Sequence, residues 1–368
     1  MRLADHLLAH RDPVTGVRIV QLTLPGAANH HLFPSPVTCT SDGRFVVFVS
    51  YETGTPNLCS LEAGKGELYR QTYRKDLNPF SATMTKDDQA VLFTAGEGLW
   101  AVTVPDGTET LMTSFAGSRL PHVAAAPDGR SAAVTVRAGE RGRIVEVDLM
   151  TCAVHDVLDR DGPVGRLQYS PEGDRIMYSA GASGGLRAVR RDGTGDGPVV
   201  PPSPGEWIGS GAWLDGRTVI FVKFHDGLYI LPDGGEARAL FKGPAWHVSV
   251  RSDGKLAVFD THSPDIGLVL ISPVTGKWRT LCYPRSSNRG LRWADPLPHG
   301  DETMETSLFG GEKAAVPEET EYGPAWTHPH PSFTPDGVGI FFTSDFSGTS
   351  QAYHAEIPPE WAGELTTT

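Results

Sequence analysis

Near the end of the chain stands THPHPSFTPDG, residues 327–337, in which His328 and His330 flank Pro329. Residues two apart on an extended backbone point the same way, and Pro329 and Pro331 favour that form, so the two imidazoles are expected side by side. A third histidine, His262 in FDTHSPD, lies 66 residues upstream of His328. Imidazole nitrogen is a ligand for zinc, manganese, iron, nickel and copper, and three on one side of an ion leave positions open for a substrate. The same side chains would serve equally as hydrogen-bonding caps on strand ends. Which role applies depends on the elements that carry them.

Those elements repeat. An apolar strand, a Pro/Ser-Asp-Gly turn and a second strand rich in Val, Ile and Phe recur as TCTSDGRFVVFVS, VAAAPDGRSAAVTV, VSVRSDGKLAVFDT and SFTPDGVGIFFTS, among others. The acidic turn residues are Asp42, Asp87, Asp128, Glu172, Asp215, Asp253 and Asp336, separated by 45, 41, 44, 43, 38 and 83 positions. A period near forty with four strands to the unit is the mark of a β-propeller, so the chain is read as all-β with seven blades. The turns themselves are hairpin geometry and carry no chemistry. After Asp336 the last unit holds three strands, and VRIVQLT (17–23) is expected to supply its fourth, closing the ring and removing a sheet edge. Residues 1–368 form one domain in this reading. The 83-residue gap places a long insertion, about 284–327, between the sixth and seventh blades. Loops of that length in compact domains are functional or disordered.

In such a blade the first strand lines the central channel, and its start shares a rim with the end of the second strand. His328 and His330 precede Asp336 by eight and six residues, and His262 follows Asp253 by nine. All three therefore reach one rim from adjacent blades. The position six before each turn is Pro36, Ser81, His122, Arg166, Gly209 (or Ser210, the fifth unit being one residue shorter), His247 and His330. His122, Arg166 and His247 add donors to the same ring. His30 and His31, in ANHHLFPSP, are expected on a loop entering that face.

With these residues in hand, the chain resembles the oligogalacturonate lyases, seven-bladed propellers that cleave short pectin fragments by β-elimination. The likeness runs through NHHLFPSPVTCTSDGRFVVF, NPFSATMTKDDQAVLF, DTHSPD, HPHPSFTPDG and FTSDFSGTSQAYHAEIP. It implies a manganese ion on His262, His328 and His330, with zinc, iron(II) or nickel as alternatives. It also implies departures. The family's glutamine ligand corresponds to Ala325, its proton-abstracting histidine to Ser210 in GSGAW, and its CHEGPW stretch to SAGASGG (179–185).

Elimination from a uronate removes a proton α to a carboxylate, and a divalent ion stabilises the charge that develops there. If His262, His328 and His330 are ligands, the base comes from His247, His122, His30 or His31, in that order. Arg166 would hold an anionic group, and Ser210, His30 and His31 would line the substrate position. The reading is a metal-dependent lyase for a small carboxylated carbohydrate or related oxygenated metabolite. An isomerase, epimerase or cyclase that passes through the same enolate, and a non-catalytic ligand-binding propeller, are the alternatives.

Composition narrows the partners. The formal charge of −12 across 368 residues argues against nucleic acid, which needs a basic stripe. No apolar run is long enough for a signal peptide or a membrane span. Cys39, Cys59, Cys152 and Cys282 are scattered without a CxxC pair, as expected for reduced thiols of a cytoplasmic protein.

Overall fold

In the computed structural model the described residues are 1, 3–33, 37–180, 185–201, 206–224, 226–261, 264–287 and 327–367. They form seven antiparallel sheets, six of four strands and one of five. This is the seven-bladed propeller the repeat predicts. The inner strands, from the first blade to the seventh, are Asn29–His31, Thr83–Met84, Val123–Ala125, Val164–Tyr169, Ile208–Asp215, Ala245–Val250 and Ser332–Phe333.

The closing strand lies where the sequence puts it. Arg18–Gln21 pairs antiparallel with Gln351–Glu356, matching Val20 to His354. A further strand, Ala9–Arg11, pairs outside it and makes this blade five-stranded. The chain ends in a helix, Pro359–Thr366, whose Leu365 is buried while Arg279 stacks on Trp361 at 4.1 Å.

The core lies between blades. Val47, Val49 and Leu58 of the first blade pack on Val91 and Phe93 of the second, and each neighbouring pair repeats this arrangement. A blade alternates its apolar residues to both faces and can bury them only against two neighbours. The repeated turns behave as hairpin scaffolding. The hydroxyls of Thr40, Thr85 and Thr334 donate to Asp42, Asp87 and Asp336 at 2.6, 2.7 and 2.5 Å. Gly337 supplies the left-handed residue (φ 69°) that follows the acid in the seventh blade, and Asp88 fills that place in the second at φ 63°.

One expectation changes. His30 and His31 belong to the inner strand of the first blade, opposite Val49 and Phe48, and are not on an entering loop. The next bridge to the second strand of this blade is Cys39–Val46. Cys39, Cys59 and Cys282 are buried and Cys152 is half-buried, all four as free thiols. Among the described residues, no helix is long and apolar enough to cross a membrane. The expected insertion lies, from 288 to 326, outside the described residues, as does Ala325.

Candidate metal centre

Three imidazoles meet at the channel rim: His247 from the sixth blade, and His328 and His330 from the approach to the seventh. One nitrogen from each lies within 4.8 Å of the others, and the residues are 6%, 1% and 6% exposed. Imidazole nitrogens bind an ion at about 2.0–2.1 Å, so two that share one are at most roughly 4.2 Å apart. The cluster is therefore within a small adjustment of coordinating geometry. Burial holds His330 well below the ordinary imidazole pKa, and the charges of His247, His328, His31 and Arg166 add to this. It is kept in the neutral form that binds metal.

The cluster is held from behind by Asp260, which lies on the second strand of the sixth blade (Ala257–Thr261) and is 2% exposed. Its carboxylate accepts the His247 backbone N–H at 2.7 Å and the His247 Nδ1–H at 2.8 Å. It also accepts the His330 backbone N–H at 3.1 Å, tying two blades together. A carboxylate on Nδ1 fixes the tautomer and leaves the lone pair on Nε2, the usual support of a metal-binding histidine. His31 completes the frame. Its Nε2–H donates to the His330 carbonyl at 2.7 Å and its Nδ1 accepts the Thr343 hydroxyl at 2.7 Å.

His330, pinned on both sides of its backbone, departs from the extended form that its flanking prolines favour. Its φ is 44°, a left-handed conformation that costs a non-glycine residue roughly 1–3 kcal/mol. Arg166 has φ 50° at the equivalent level of the fourth blade. The inner strands of the fourth, fifth and sixth blades all lose register at this height, between Gly165 and Gln168, Ile208 and Gly211, and Ala245 and Val248. Bulges re-aim side chains that a regular ladder would place elsewhere. Here they send Arg166, Ser210 and His247 into one cavity of about 140 Å³ that His330 also lines. Phe33 covers the cluster, its ring centroid 3.4 Å from that of His330, and Trp246 packs on His328 at 4.2 Å.

No family model matches the chain. It aligns with the oligogalacturonide lyase of Pectobacterium atrosepticum at 23% identity over 385 residues, covering 95% of each chain. With the oligogalacturonate lyase of Dickeya dadantii it shares 22% over 398 residues, 97% of each. Among solved structures, an oligogalacturonate lyase in complex with manganese superposes with a TM-score of 0.80 at 22% identity, covering 98% of this chain and 99% of the other. The oligogalacturonate lyase of Vibrio parahaemolyticus gives 0.78 at 20%, with 98% of each covered. Over nearly its whole length the chain is similar to oligogalacturonate lyases.

Set beside that resemblance, His328 and His330 share a cluster, while His262 lies outside the described residues. His247, read from sequence as the first candidate base, stands instead among the grouped imidazoles. Arg166 Nη1 donates to the Gly209 carbonyl at 3.2 Å, and Ser210 Oγ accepts the Val248 N–H at 3.3 Å. His122 is half-buried beside the bulge. A Cβ on Gly165 would sit 3.2 Å from its Nε2, and burial with the nearby Arg166 charge lowers its pKa to about 4. His30 Nδ1 pairs with the His31 carbonyl at 2.9 Å while its ring stacks on Phe80. Burial brings His30 to about 4 and His31 to about 3. Sequence reading passed over Asp260. Its signal was there, an acid inside AVFDT, a strand buried at every position, where a charge requires partners.

Proposed function

We propose that the protein is a metal-dependent lyase that eliminates across a glycosidic bond of a small uronate-containing carbohydrate, of the oligogalacturonide kind. The observation that carries this reading is the buried cluster of His247, His328 and His330 backed by Asp260. The donor set fits a divalent ion: neutral imidazoles, one with a carboxylate behind it, facing a cavity with room for a ligand. Manganese is the ion named for the structural relative. Bound there, such an ion supplies Lewis-acid stabilisation of charge on a carboxylate.

The chain's own residues supply the rest. Arg166 presents a guanidinium to the same cavity and suits the carboxylate that such a substrate carries. The proton at the α carbon needs an acceptor outside the cluster. Both His31 nitrogens are engaged, and His30 is tied to its neighbour through Nδ1. His30 Nε2 and His122 Nδ1 both stay without a hydrogen-bond partner among the described residues, and we assign the task to His122 because it stands beside Arg166. His122 is neutral at working pH. An anionic substrate would raise its basicity.

The test is metal analysis of purified protein together with the absorbance of unsaturated product from oligogalacturonides. A stoichiometric divalent metal, turnover abolished by chelation, and a His328→Ala variant that loses both metal and activity by roughly 100-fold or more are the expected results. Full turnover by that variant would reject the reading. A product of unchanged mass would redirect it to isomerisation.

A further inference from the structure

The cavity below the imidazole cluster has a second tier. Ser249 lies two residues beyond His247 on the sixth inner strand, and Ser332 two beyond His330 on the seventh. Both line the same cavity as those histidines. The residues are only 7% and 3% exposed, and neither hydroxyl has a hydrogen-bond partner among the described residues. Leaving a buried hydroxyl unsatisfied is unfavourable, so two on adjacent strands facing one cavity point to a polar ligand that meets them. The same cavity is lined by the apolar side chains of Met177, Leu186 and Ala212 and by the uncharged polar ones of Gln168 and Ser210. A lining that mixes uncharged polar groups with apolar ones suits a sugar ring, which presents both C–H bonds and hydroxyls. An anion finds its cation one tier up, at Arg166.

We propose that Ser249 and Ser332 form an uncharged subsite that binds ring hydroxyls of the saccharide whose carboxylate lies above, toward Arg166 and the imidazole cluster. The subsite rests on the lyase reading for the position of that carboxylate. It makes a separate claim, that affinity depends on the neutral part of the ring.

The experiment titrates metal-loaded wild type and a Ser249→Ala/Ser332→Ala variant with galacturonate, and with glycolate, a carboxylate that has no ring. Removing two hydroxyls that bond to no protein group should leave the melting temperature of the ligand-free variant unchanged, which separates binding from folding. Galacturonate should bind the double variant about 10-fold weaker or worse, each lost hydrogen bond contributing several-fold, with glycolate affinity unchanged. Equal galacturonate affinity in the two proteins would overturn the subsite and mean that water alone meets these hydroxyls, while the lyase reading stands. Weakened galacturonate binding in a protein that yields no unsaturated product would keep the subsite and reject the lyase. Failure of wild type to bind galacturonate would overturn the subsite, while the lyase reading is decided by the product assay on oligogalacturonides.

Discussion

Asp260 shows how much of the centre depends on one side chain outside it. A carboxylate 2% exposed is tolerated only when its oxygens are met, and here three N–H groups from two blades meet them. Asp260→Asn keeps the shape but removes the charge that orients His247 and supports it as a ligand. We expect metal affinity to fall about 10–100-fold, measured by competition with a chromogenic chelator. His122→Gln should behave in the opposite way. Metal content stays at the wild-type level while kcat drops by roughly 10²–10⁴, the usual contribution of a general base. Unchanged kcat would return the proton to another residue. The sequence told that histidines gather on one rim, because turn spacing fixes the height of each residue. It did not tell which nitrogens approach one another. That depends on bulges at 165–168, 208–211 and 245–248, which a period-two reading cannot see.

Elements set the height and ring closure fixes the angle. The inner strands deliver Arg166, Ser210, His247 and His330 to one level only if the seven blades close, and the closing strand Arg18–Gln21 joins the two ends of the chain in one sheet. Ile19 on that strand is 2% exposed and packs with Phe342, Tyr353 and Ala355. Truncating it to alanine should cost about 2–5 kcal/mol of unfolding free energy in urea titration, whereas Val14→Ala, at a site 72% exposed, should stay within about 0.5 kcal/mol. Near-equal effects would mean that the strand does not lock the ring. The closing strand was legible because VRIVQLT is apolar and the last unit lacked a partner. Ala9–Arg11 was not, since all three of its residues are exposed and short polar strands leave no periodic signal.

At the scale of the molecule, a chain of net charge −12 still brings Arg166 and neutral imidazoles to one interior cavity, and local charge there governs an anionic ligand. Buried histidines also make the fold sensitive to acid. His354, 5% exposed on the third strand of the seventh blade, packs on Phe341 at 5.6 Å. Its Nε2 occupies the space where a Cβ on residue 339 would come within 2.0 Å, which is why glycine stands there. Burial lowers its pKa to about 4, as it does for His30, from an ordinary value of 6.5. Between those limits the unfolded chain binds a proton that the folded chain refuses, so stability is complete above pH 6.5 and falls as the pH drops toward 4. Each histidine contributes roughly 1.4 kcal/mol per pH unit across that window, about 3 kcal/mol in all. Carboxylates held low by hydrogen bonds, such as Asp42 and Asp253, lose their contribution only at still lower pH. Replacing His354 by leucine, of similar size and without a proton to gain, should flatten the slope of unfolding free energy against pH by about one proton between 6.5 and 4.5. An unchanged slope in urea titrations at matched metal content would show that His354 is protonated in the folded ring.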